Sequence, residues 1–278
     1  MINILKKFIG YLLPHFVILF YRKQKEKMEE VLRRRRFEIV ASSFPGLPNE
    51  FSYKNLIQSL TALGLDQEQI IAGSIPEGSL LDMVEVIRRE NGNSSILGLH
   101  IGNYVGVSLV YIARLLVELN PDSHILSIDP NIPHRGISNP QEKTLYLIDK
   151  FGLSKNVSIL TGFTLEKNLS NDARNYTVYD PVVHYRREYS CENQLDLLIK
   201  IIRAPFSFAM IDGNHQKQYL LREISSIESL LSKEGLIILD DVSEGWKEIK
   251  EVYDISTPTG FEKIFSNNRI GILKKKKS

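Results

Sequence analysis

The residues best suited to chemistry lie in the second half of the chain. "FAMIDGNHQ" ends an apolar run on Asp212 and turns through His215, and "LIILDDV" ends the next run on Asp240 and Asp241. Neighbouring strand ends lie about 5 Å apart, so three carboxylates placed there can converge on one hard cation with oxygen ligands. A competing role for one of the paired acids is to cap the helix that follows. His215, as an imidazole, suits a general base or a metal ligand, and a structural histidine is the plainer alternative.

Two further features sit upstream. In "HIGNYVGVS", Gly102 and Gly106 end an apolar run and begin an amphipathic one; without a β-carbon they let the backbone turn sharply and a ligand approach closely. A phosphate P-loop is excluded, because the glycines stand too close together for G-x-x-x-x-G-K-[ST] and Val107 follows where lysine is needed. The G-x-G-x-x-G spacing of nicotinamide enzymes is also missing. "HILSIDP" then closes the next apolar run on Asp129 and Pro130, where an acid can accept hydrogen bonds from both ribose hydroxyls of an adenosine. Loop and acid together point to an adenosine-bearing cofactor.

These residues need a sheet to position them. From Ser94 onward, short apolar runs ("SILGLHI", "HILSID", "NVSIL", "FSFAMID", "GLIILDD") alternate with longer amphipathic ones, including "VSLVYIARLLVEL" and "KQYLLREISSIESLLSK". That alternation predicts parallel strands joined by crossover helices. "GFEKIF" and "RIGILK", separated only by "SNN", predict an antiparallel hairpin at an edge, and so a seven-stranded α/β sheet. Three regions are expected: a basic helical leader at 1–41, a helical lead-in at 42–93 beginning at the breaker "SSFPGLPNE", and a catalytic domain at 94–278. The polar and aromatic stretch Glu166 to Glu192 is longer than most connections, as substrate-contacting loops often are. In "NIPHRG", His134 and Arg135 read as an ordinary exposed loop, with an acceptor-facing role as the alternative.

The chain has 278 residues, 43% hydrophobic, enough for a large α/β domain with an appendage. A formal charge of +2 does not announce nucleic acid as a partner. The single cysteine, Cys191, excludes an internal disulfide and a cysteine-cluster metal site, and fits a reducing, cytoplasmic location. The uncharged N-terminal stretch, Phe8 to Tyr21, is shorter than the about 20 residues of a span and is interrupted by Pro14. Its basic flanks leave two readings open: an amphipathic helix on an anionic leaflet, or packing on the body of the protein or on a second subunit of a homodimer.

At this point the residues resemble the class I S-adenosylmethionine-dependent methyltransferases. The likeness is to the metal-dependent O-methyltransferases of the catechol and caffeoyl-CoA kind and to those acting on macrolide sugars, and it runs from about Ser74 to Lys274. "LHIGNYVGVSLVYIARLL" is similar to the family's first motif, "SIDP" to its ribose-binding acid, and "ILTGFTLEKNL" to the loop lining the adenine. The resemblance implies a Rossmann-like doubly wound sheet in the order 3-2-1-4-5-7-6 with the last strand antiparallel. It implies cofactor contacts at Gly102, Asn103, Gly106, Ser108, Asp129, Pro130, Gly162, Phe163 and Asp212, and a Mg2+-like ion on Asp212, Asp240 and Asp241. Two departures stand out: His100 replaces the acid that commonly opens the first motif, and Tyr104 replaces its central small residue.

The implied reaction is methyl transfer from S-adenosylmethionine to a hydroxyl of a small-molecule acceptor, a sugar or polyol, with proton removal by His215 or Asp212. Two other readings stand beside it: a catalytically silent cofactor-binding partner of the same fold, and a hydroxylase-like relative.

Overall fold

The computed structural model describes residues 51–166, 193–255 and 260–277, all within one unit, Gly46–Ser278. The expected leader and the stretch from residue 167 to Glu192 lie outside the described residues.

Apolar runs with few polar interruptions, such as "FSFAMI" and "GLIIL", can hide both faces only inside a parallel sheet covered by helices. They do so here. The strands are β1 (Leu97–Ile101), β2 (His124–Asp129), β3 (Val157–Thr161), β4 (Phe206–Ile211), β5 (Leu231–Leu239), β6 (Phe261–Ser266) and β7 (Gly271–Lys275), in the sheet order β3-β2-β1-β4-β5-β7-β6. β1 to β5 pair in parallel, and β7 pairs antiparallel with both β5 and β6. This is the sheet expected from the sequence, with the short hairpin delivering β7 between β5 and the edge strand β6.

Helices α1 (Tyr53–Thr61), α2 (Gln67–Ala72) and α3 (Glu77–Asn91) precede the sheet. α4 (Val107–Leu119), α5 (Pro140–Lys150), α6 (Gln194–Ile201), α7 (Lys217–Glu228) and α8 (Lys247–Ile255) follow their strands. Ser52 and Asp66 start α1 and α2 by accepting the N–H groups of Asn55 and Gln69 at 3.1 and 2.8 Å. The lead-in helices pack on α4: Phe51 stacks on Tyr111 at 5.6 Å, and the Tyr111 hydroxyl donates to Glu77 at 3.0 Å. Leu99, Phe208, Met210, Ile237 and Ile238 are fully buried in the central strands, each worth about 1.5–3 kcal/mol relative to exposure. No helix among the described residues is long and apolar enough to cross a membrane.

One element departs from its expected extent. The helix read through "SLLSK" stops at Glu228, because Leu230 and Leu231 are drawn into the sheet, where the Phe206 N–H donates to the Leu230 carbonyl at 2.8 Å. A register shift between Phe206 and Phe208 absorbs the extra residues of "SKEG".

Candidate active site

Sheet order reverses between β1 and β4, so a crevice opens beyond their carboxyl ends. A cleft of about 950 Å³ lies there. Its two banks are the β1 and β2 ends and the β4 and β5 ends.

On the first bank the glycine turn is set by backbone packing. Gly102 has φ +83°, and a β-carbon on it would lie 1.8 Å from the Asp212 carbonyl oxygen, so the turns after β1 and β4 touch through this missing atom. Asp129 ends β2 and is buried; its carboxylate accepts the N–H groups of Asn103 at 2.7 Å and Asn131 at 2.6 Å. Burial raises its pKa and these backbone donors, Asn103 first, oppose the rise. With Tyr104 as a third backbone donor, at least one lone pair of the carboxylate remains for a ligand. Gly102, Asp129, Pro130, Gly162 and Phe163 all line the cleft.

Asn103, Gly106 and Ser108 are not cleft walls; they support the turn. The Asn103 side chain accepts the Ser127 hydroxyl, Ser108 accepts the Ile75 N–H at 3.2 Å, and Gly106 starts α4 at φ +86° against Thr144. His100 lies on β1 with no exposure, and burial lowers its pKa to about 4, with the neighbouring Asn103 side chain opposing the drop. Tyr104 does not fill the turn. Held at φ +49°, its ring passes over Gly73, where a β-carbon would lie 2.3 Å from it, and its hydroxyl donates to the Gln69 carbonyl at 3.2 Å.

Beyond Phe163, a hydrogen-bond chain closes the cleft. The Leu165 N–H donates to the Tyr219 hydroxyl, which pairs with the Thr164 hydroxyl at 3.0 Å, and Thr164 donates to Glu223. Glu223 is buried, its Oε2 has no partner, and burial pushes its pKa up to about 8.

On the second bank the structure gathers Asp212, Asp240 and Asp241, as the sequence predicts. It adds a residue that sequence reasoning missed. Arg269, from the β6–β7 turn, forks onto Asp240 through Nε at 2.7 Å and Nη2 at 2.6 Å, and reaches Asp241 Oδ1 through Nη1 at 2.7 Å. The other oxygen of Asp241 lies 3.5 Å from His215 Nε2. Asp212 is raised well above the ordinary carboxylate range by burial first and by Asp240 next, with Arg269 opposing. Asp241 is raised for the same reasons.

This arrangement does not fit the expected three-carboxylate cation site, because Asp240 is already neutralised by a bidentate guanidinium whose positive charge opposes a second cation on the same carboxylate. Ligand atoms of Asp212, His215 and Asp241 do lie within 4.8 Å of one another. That group shares Asp241 with Arg269, so a dication there would sit beside a fixed positive charge.

At the mouth, His215 packs edge-on against half-exposed Trp246 at 4.2 Å, and His134 against Tyr104 at 5.5 Å. His134 and Arg135 are exposed, as an ordinary loop would have them, and both line the cleft. Little in the sequence marked Trp246 or Glu223, both of which read there as ordinary helix residues.

The comparisons agree with this geometry. A family model described as a methyltransferase domain matches residues 99–242, more than half of the chain. No curated protein matches it. Among solved structures, it is similar to an O-methyltransferase from Bacillus cereus in complex with S-adenosylhomocysteine, at 14% identity and TM-score 0.57, covering 86% of this chain and 96% of that one. A Podospora anserina methyltransferase bound to S-adenosylhomocysteine gives 12% identity and TM-score 0.54, covering 89% and 96%. An O-methyltransferase from Streptomyces achromogenes involved in tomaymycin synthesis, in complex with SAM, gives 13% identity and TM-score 0.52, covering 87% and 98%. The chain therefore belongs to the methyltransferase domain family, and its sheet has the class I S-adenosylmethionine-dependent methyltransferase fold.

Proposed function

We propose that this methyltransferase moves the methyl group of S-adenosylmethionine to a hydroxyl of a small molecule of sugar or natural-product character. The observation that carries the cofactor reading is Asp129, held by the Asn103 N–H at the crevice where strand order reverses. The relatives named above, whose structures hold S-adenosylhomocysteine or SAM, support it. Asp129 suits the ribose hydroxyls. Gly162 and Phe163 suit the flat base, with the unpartnered Glu223 Oε2 offering a polar contact at that end.

S-adenosylmethionine supplies an already activated methyl sulfonium, so the protein's tasks are orientation, exclusion of water and removal of one proton. His215 takes that proton from the acceptor hydroxyl, and the resulting imidazolium faces Asp241 Oδ2. The acceptor oxygen bonds to the methyl carbon as the carbon–sulfur bond breaks, leaving the neutral thioether. Trp246 and Tyr104 give the acceptor flat apolar walls of the kind sugars and polycyclic natural products pack against.

Titration calorimetry with S-adenosylhomocysteine tests the reading. We expect saturable binding to the wild type and affinity at least about tenfold weaker for Asp129→Asn, which loses a charged acceptor. No binding to the folded wild type would defeat it.

A further inference from the structure

We propose that the Arg269 guanidinium is the resident cation of the acceptor bank, standing where the sequence pattern calls for a divalent ion, and that the site works on a single hydroxyl without a metal. The catalytic part of this proposal rests on the methyltransferase reading; the exclusion of the ion does not.

Arg269 is held before any ligand arrives. Asn267, in the same turn, accepts the N–H groups of Arg269 and Ile270, each at 2.8 Å, and donates to Asp82 on α3 at 2.9 Å. The Arg269 carbonyl accepts the Val242 N–H at 2.8 Å, which ties the turn directly to the segment after Asp241. The backbone on both sides of the guanidinium is therefore fixed, and its fork meets Asp240 in the bidentate geometry that favours arginine over a point charge. The Asp240 side chain is nearly fully buried, so its charge needs a partner in every state of the protein.

The chemical consequence concerns the acceptor. A divalent ion gathers two neighbouring oxygens and lowers the pKa of the one that reacts. A guanidinium paired with two carboxylates cannot chelate two acceptor oxygens as a metal ion does; it offers only single N–H donors, three of them already used. It balances charge and leaves deprotonation to His215. The acceptor then needs one reactive hydroxyl, not a chelating pair.

Manganese binding followed by electron paramagnetic resonance, together with thermal denaturation in MgCl2 or EDTA, tests this on the full chain. The wild type is expected to show no saturable Mn2+ site at millimolar metal and no shift in Tm with either additive. Arg269→Gln, which frees the carboxylates, is expected to bind Mn2+ at least about tenfold more tightly than the wild type, because the competing cation is gone. This gain should vanish in Arg269→Gln with Asp212→Asn. A micromolar Mn2+ site in the wild type, no gain in a folded Arg269→Gln, or a gain that survives Asp212→Asn would each overturn the proposal. If Arg269→Gln does not fold, the wild-type measurement still decides. S-adenosylhomocysteine binding in EDTA tests the methyltransferase reading separately: its loss would sink that reading and leave the arginine assignment standing.

Discussion

Asp129 on the β2 bank is held by neutral N–H donors from its own turn and from the neighbouring glycine turn, whereas Asp240 and Asp241 on the β5 bank share one guanidinium delivered by the β6–β7 turn. The first arrangement is uncharged and leaves the carboxylate its negative charge. The second is an ion pair in which that charge is already balanced. Neutral donors hold an acid in place while keeping its charge available to a ligand; a bidentate cation neutralises it. In the proposed function, the first bank takes the neutral ribose and the second stays electrostatically settled next to the acceptor hydroxyl.

The sharpest way to break the first bank is Gly102→Ala. Its β-carbon would meet backbone, not a flexible side chain, at a left-handed φ. We expect a loss of more than about 4 kcal/mol, or failure to fold, in urea denaturation.

On the second bank, Arg269→Ala leaves Asp240 buried and unpaired. We expect a loss of about 3–5 kcal/mol, with much of it recovered when Asp240→Asn is added. Equal losses in the single and double variants would show that the ion pair does not carry the effect.

Two buried groups on the cofactor side make stability depend on pH in opposite directions. Glu223, raised to about 8, keeps its proton in the folded state while the unfolded chain loses it from about 4.5 upward, so its contribution is full below pH 4.5 and lost as pH rises to 8. Glu223→Gln removes that dependence and should gain about 3–4 kcal/mol relative to the wild type between pH 5 and 9. His100 runs the other way. With its folded pKa lowered to about 4, it remains neutral while the unfolded chain takes up a proton below about 6.5, so stability falls as pH drops from 6.5 to 4. His100→Leu should outperform the wild type by about 3 kcal/mol more at pH 4 than at pH 7. A flat difference across pH in either variant would mean that the group does not titrate differently on folding.

Much of this was legible in the residues. Period and punctuation located the strands, and the hairpin "SNN" between two apolar runs foretold the antiparallel edge. Asp129, Asp212, Asp240 and Asp241 were found because each closes an apolar run, and strand ends in an open sheet meet at one rim. Misreadings came where a tertiary contact overrode a local pattern. "SLLSK" has helical spacing, but Leu231 is worth more paired with Phe206 in the sheet. Tyr104 stands where the motif's small residue was expected, and only the bare surface of Gly73, far away in sequence, shows where its ring goes.

By itself the sequence determined the class of sheet and which acids end its strands, because alternation, apolar runs and glycine turns are local consequences of backbone sterics and hydrophobic burial; the strand order was implied by the family resemblance. Tertiary structure alone decided what those acids do. Whether Asp240 faces a ligand or a guanidinium depends on the turn at Asn267 to Ile270 being anchored to Asp82 on α3, and no spacing rule in a linear chain encodes a contact made by three such distant segments.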